Sequence, residues 1–123
     1  MTIAQAIAQL DSLKHNTFSH EQKVAWLGRV EAMIKKHIID THVGGDKVIF
    51  EGYGPDTDLQ TELLAPEPFD EMYLRYLEAQ VDYHNMEYDG YNQAISLFKS
   101  VYNSYERWYN RTHMPLGGKM KYF

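Results

Sequence analysis

The chain contains no cysteine among its 123 residues. Disulfides, zinc–thiolate sites and thiol nucleophiles are thereby excluded, and a reducing compartment is compatible. No run approaches the roughly 20 apolar residues that span a bilayer. The opening Met1-Thr2-Ile3-Ala4-Gln5 lacks the basic flank and apolar run of a signal peptide, so a soluble protein of the cell interior, or one assembled there, is expected. Positive charge is in short supply: 12 Lys and Arg face 17 Asp and Glu, for a formal net charge of −5. That is the wrong sign for holding nucleic acid by bulk charge. G-x-S-x-G, P-loop and dinucleotide fingerprints are absent, and no internal repeat or low-complexity run is visible.

What is present is ring surface. Hydrophobic residues make up 44% of the chain, which disfavours disorder. Ten Tyr and two Trp help to bring aromatics to 14%, a level that favours buried or interfacial rings with polar tips. The length suits one domain, residues 1–123, with a modest core.

Four helices are expected. Residues 2–13 place Ile3, Ala6, Ile7, Leu10 and Leu13 on one face, with Thr2 and Gln5 spaced as a capping box. Ser19 caps a second helix, with Gln22 at its third position. Val24, Trp26, Leu27, Val30, Met33, Ile34, His37 and Ile38 form its stripe, and Glu31 with Lys35 reads as an i,i+4 pair on the opposite face. This helix should end near Thr41, before Gly44-Gly45.

Residues 42–67 form a long, irregular, acidic loop punctuated by Gly44, Gly45, Gly52, Gly54, Pro55 and Pro66. Lys47-Val48-Ile49-Phe50-Glu51 has the composition of a short strand or hairpin arm. Pro68 suits the first turn of a third helix, and Asp70 and Glu71 complement its positive end. Tyr73, Tyr76 and Leu77 on that helix are expected to meet Ile95, Phe98 and Tyr102 on the fourth, forming the core of the pair. A break is expected at residues 85–90, with a kinked continuous helix as the alternative. The fourth helix should run to about Thr112, followed by a tail at residues 113–123.

Charge is segregated. Residues 42–70 hold seven acids against Lys47 alone, whereas residues 99–123 hold five basic residues against Glu106. The acidic surface of one copy is suited to the basic end of a neighbour; solvated faces are the plainer account. The six histidines lack metal-ligand spacing, and His84, on the apolar face of the third helix, is expected to be a hydrogen-bonded core residue. Asp56-x-Asp58 lacks the other ligands and the glycine of a calcium loop. No metal, cofactor or catalytic residue is assigned.

The aromatic stripe of the fourth helix is unsuited to base stacking, because its partner helix is acidic. Core and subunit interface are the remaining accounts. Trp108, Arg111, His113, Met114, Leu116 and Lys119 belong to residue types that gather at docking surfaces and basic rims. The alternative is that Trp108 is buried within the monomer and the tail frays.

Three stretches, Tyr76-Leu77-Glu78-Ala79-Gln80-Val81-Asp82-Tyr83, Glu87-Tyr88-Asp89-Gly90-Tyr91-Asn92 and Tyr105-Glu106-Arg107-Trp108-Tyr109-Asn110-Arg111-Thr112-His113-Met114-Pro115, carry a resemblance. Over about residues 63–117 the chain resembles the small helical head–tail connector, or head completion, proteins of long-tailed bacteriophages and prophages. The resemblance implies an all-α fold with a long antiparallel helix pair at its centre, and a ring of roughly twelve copies beneath the portal, which extends the DNA channel and receives a neck or tail-completion protein. It implies a virion protein assembled in the bacterial cytoplasm, not an enzyme, with no membrane partner. The segment from about Arg111 would dock against the portal. The loop acids Asp46, Asp56, Asp58 and Glu62 would face the channel or the tail side, where they would repel passing DNA. The rival readings are a small helical protein–protein adaptor or regulator without a virion role and, more remotely, an enzyme using His84 with Asp82 and Glu87.

Overall fold

The computed structural model describes residues 1–117. Helix α1 spans Ile3–Leu13, α2 His20–Ile34, α3 Glu71–His84 and α4 Tyr88–Thr112. The fold is all-α, with no strand or sheet among the described residues. None of these helices is long and apolar enough to cross a membrane.

Local chemistry explains the starts of the first two helices. The Thr2 hydroxyl accepts from the Gln5 amide at 3.1 Å, while the Gln5 side chain accepts from the Thr2 amide at 2.9 Å. Together they satisfy two otherwise orphaned N–H groups. Ser19 accepts from the Gln22 amide at 3.1 Å in the same manner. The α2 stripe then buries Val24, Trp26, Leu27, Val30 and Ile34, and a π-helical turn, Lys35–Ile39, carries Ile38 and Ile39 into the same core.

The third helix begins later than the sequence suggests. Residues 67–70 form a turn, so Pro68 precedes the helix and Asp70 occupies its N-cap without a side-chain cap bond. The helix pair itself is present. The connection at residues 85–87 is short, and Met86 takes a left-handed φ of 61° to reverse the chain. This settles the break as a true turn between two antiparallel helices.

The pair is not symmetrical about the core. α3 is the hub, packed by α1, α2 and α4, whereas α4 lies outside and rests chiefly on α3. Only Ala94, Phe98, Tyr105 and Tyr109 of α4 are buried. Tyr73, Leu77 and Phe98 are buried as core residues, and Tyr76, Ile95 and Tyr102 lie half-buried against that core. Tyr76 and Phe98 meet at 5.2 Å between ring centres.

Two polar ties lock the first helix onto its neighbours. The buried Lys23 ammonium donates to Asp11 at 2.7 Å, joining α2 to α1. Lys14 donates to the buried Asp82 at 2.8 Å, joining the end of α1 to the end of α3. That bond to Asp82 holds the Lys14 ammonium above its ordinary pKa. Gly90 in the first turn of α4 passes so close to Asp82 that an added Cβ would stand 2.5 Å from Oδ2.

Gly90→Ala should therefore push Asp82 off Lys14 and cost about 1–3 kcal/mol, as overpacking and a weakened buried pair do. Gly54→Ala, at an open position with nothing within 4 Å, should stay within about 0.5 kcal/mol of the parent. Urea denaturation of the two variants checks the contrast.

Candidate partner-docking surface

The surface is built where α4 ends. Trp108 lies half-buried with its ring 5.4 Å from Phe69 and 5.9 Å from Tyr105. Tyr109, one residue on, is buried and meets the edge of His42 at 4.9 Å. His113 then stacks on Tyr109, with ring centres 3.7 Å apart and planes 5° from parallel. Rings thus support one another from the core out to the first residue beyond the helix.

That residue does not begin a free tail. Val43 N–H donates to the Met114 carbonyl at 2.8 Å, and Leu116 N–H donates to the Thr41 carbonyl at 3.0 Å. His42 and Pro115 form an antiparallel bridge between these two bonds. His42 itself is buried, and its Nδ1–H donates to the Ile38 carbonyl at 2.6 Å. Residues 113–116 are therefore strapped to the segment that follows the π-helical turn and do not fray, contrary to the alternative reading. The strap turns the side chains of Met114, Leu116 and Val43 outward, with Met114 64% exposed. Arg111 is exposed in the adjoining last turn of α4. Of the six docking candidates, Trp108 and His113 form the supporting layer, while Arg111, Met114 and Leu116 stand at the surface. Lys119 lies outside the described residues.

The loop at residues 42–67 is ordered by a group that sequence reasoning placed on the surface. Glu31 is 0% exposed and makes no pair with Lys35, which bonds instead to Asp40 and to the Gly45 carbonyl. The Glu31 carboxylate accepts from Tyr53 O–H at 2.7 Å, Leu64 N–H at 2.8 Å and Tyr73 O–H at 2.5 Å. Tyr73 in turn accepts from Ala65 N–H at 2.8 Å. One side chain of α2 thus holds both ends of the loop's second half and the first turn of α3. Burial raises the Glu31 pKa, and the three donors oppose that rise without cancelling it. Tyr53 and Tyr73 are both raised, first by burial and then by the neighbouring carboxylate.

No hairpin forms at residues 47–51. Gly45–Lys47 is a single 3₁₀ turn, and the segment after it is irregular. Pairing needs a partner strand, and the nearby backbone that does pair, at Thr41 and Val43, is taken by the tail. The loop acids do not share one site. Asp46 stands in the 3₁₀ turn, Asp56 and Asp58 in the exposed stretch beyond Gly54, and Glu62 against the Met1 ammonium at 3.2 Å. Glu62 is therefore an ion-pair partner at the start of α1 and not a loose loop charge.

His84 is not a core residue. It is exposed, and its Nδ1–H donates to the Gln80 carbonyl at 2.9 Å while its ring covers Trp26 at 5.4 Å. Asp82, its supposed acidic partner, is held by Lys14. Among the described residues no group of three or more His, Asp or Glu is placed to hold a metal ion.

No protein-family model, curated protein or solved structure matches this chain.

Because the folded state raises the Glu31 pKa, this group favours folding most below its unfolded pKa, and that contribution is lost as pH rises through the folded value. The stability of the parent relative to Glu31→Gln should thus increase as pH falls from 8 to about 5. Glu31→Ala leaves three donors without their acceptor and should cost about 3–5 kcal/mol at any pH in that range. Urea titrations of the three proteins at the two pH values check both the sign and the order.

Proposed function

We propose that this protein is a structural connector of a bacteriophage or prophage virion, a ring component that sits under the portal, extends the DNA channel and receives the tail. The observation that carries the reading is the end of α4. There, exposed Met114, Leu116 and Val43 are presented on a strapped backbone beside Arg111, over a layer of packed rings. An apolar patch with a basic rim and a preset backbone fits docking onto another protein, because little conformational freedom remains to be lost on binding. The partners in this reading are the portal protein and, on the opposite side, a neck or tail-completion protein, with further copies of the chain completing a ring of about twelve.

The exposed acids Asp46, Asp56 and Asp58 support a second element of the reading. Held on a loop that Glu31 anchors, they keep negative charge at fixed positions, where it would repel phosphates and let DNA slide. The contrasting reading, a protein–protein adaptor with no virion role, uses the same patch but a different partner. It is favoured by the second apolar area at the α3–α4 turn, around Tyr83 and Met86.

Met114→Asp with Leu116→Asp should leave thermal stability within about 1 kcal/mol, since both side chains are exposed. The same pair should abolish co-purification with the portal protein of the same genome. Retained portal binding by a folded double variant would remove the patch from the docking surface.

A further inference from the structure

The α3–α4 turn is the other end of the α4 rod, and it carries a second exposed apolar area. Tyr83 is 53% exposed, Met86 74% and Tyr88 56%. Tyr83 gathers the group: its ring lies 6.3 Å from Tyr88, 5.5 Å from Tyr91 and 5.5 Å from His84. Met86 stands at the apex with φ of 61°, a left-handed conformation that glycine or asparagine would take at lower cost. A strained backbone that holds a long apolar side chain out into water has no packing reason, and such strain gathers at binding sites. Beside it, Met86, Glu87, Tyr88, Asp89 and Gly90 line an open recess of about 430 Å³. Among the described residues neither Glu87 nor Asp89 forms an ion pair, and Lys14 is bonded to Asp82. The tip is therefore aromatic, with one methionine at its apex, and negative at its rim.

The sequence carries one segment with the complementary chemistry. Residues 119–123 read Lys-Met-Lys-Tyr-Phe, alternating cations with apolar and aromatic side chains. In the same chain the segment cannot reach the tip. Leu116 is bonded to Thr41, and His42 packs on Tyr109, so Gly117 stands level with the last turns of α4. From Tyr109 to Tyr88 the helix runs roughly 30 Å at about 1.5 Å per residue. Six residues beyond Gly117 span at most about 20 Å fully extended.

We propose that the α3–α4 tip of one copy is the docking site for residues 119–123 of a second copy, with Lys119 and Lys121 on the acidic rim and Tyr122 and Phe123 among the exposed rings. The contact is head to tail. It joins two unlike surfaces, so it closes as a reciprocal pair or propagates into a ring or a filament. It does not depend on the connector reading, because no portal is needed; of the portal-docking candidates it uses Lys119 alone.

The test is sedimentation velocity of the full chain over a concentration series up to about 1 mM, at low and high salt. The expected result is concentration-dependent self-association that weakens as salt screens the rim. Lys119→Glu with Lys121→Glu should weaken it at least about tenfold, and so should Glu87→Lys with Asp89→Lys. A chain carrying all four substitutions should recover it. Met86→Gly keeps the test sound even if the rim variants fold poorly. It relieves the left-handed strain, so it should hold or raise thermal stability while lowering association. A full chain that stays monomeric throughout overturns the proposal. So does self-association unchanged by the tail substitutions, or a folded four-substitution chain that does not recover.

Discussion

The buried carboxylate of Glu31 fixes more of this structure than any other single group. It sits on α2, with no ion pair among the described residues, and accepts from Tyr53 and Leu64 of the loop and from Tyr73 of α3. Burying a carboxylate without a cation is expensive, and three directed donors offset that cost only if all are held in place. The constraint therefore runs in both directions. The donors make Glu31 tolerable inside the protein, and Glu31 gives a loop of low apolar content a reason to hold one path. A long connection without regular structure is uncommon in a small domain. Here its backbone is tied at Leu64 and Ala65 by the same network that seats α3.

With that side of the molecule fixed, α4 is left as an outer rod. It packs along α3 and shows a different end to each side of the protein. At its C-terminal end, Tyr109, His113 and His42 hold a strap that carries Met114 and Leu116 outward. At its N-terminal end, the turn through Met86 carries exposed tyrosines and acids. A helix with two unlike, exposed ends is suited to joining things placed along its axis, and both proposed contacts use that property.

The helices were legible because their signals are local. Thr2 with Gln5 and Ser19 with Gln22 are caps written within four residues, and the stripes of α2 and α3 follow a helical period. The larger misreadings involve long-range partners. Glu31 and Lys35 have the spacing of an exposed ion pair, and only Tyr53 and Tyr73, 22 and 42 residues away, draw Glu31 inside. His84 has a core position by period, yet it falls at the end of α3, where the helix runs out past Trp26 into solvent. The tail strap pairs Thr41 and Val43 with residues more than seventy positions on, a register no local pattern encodes. Val43, Tyr83 and Met86 were missed as surface residues for a related reason. Apolar residues are expected inside, and their exposure is visible only once the fold has placed everything else.

Electron cryo-microscopy of the full chain mixed with the portal protein of the same genome tests the central claim most directly. The connector account predicts a closed ring seated on the portal, with Arg111, Met114 and Leu116 against it and the loop acids on the channel or tail side. A portal that shows no added density at saturating chain, or a chain bound as isolated copies through the loop face, would contradict it.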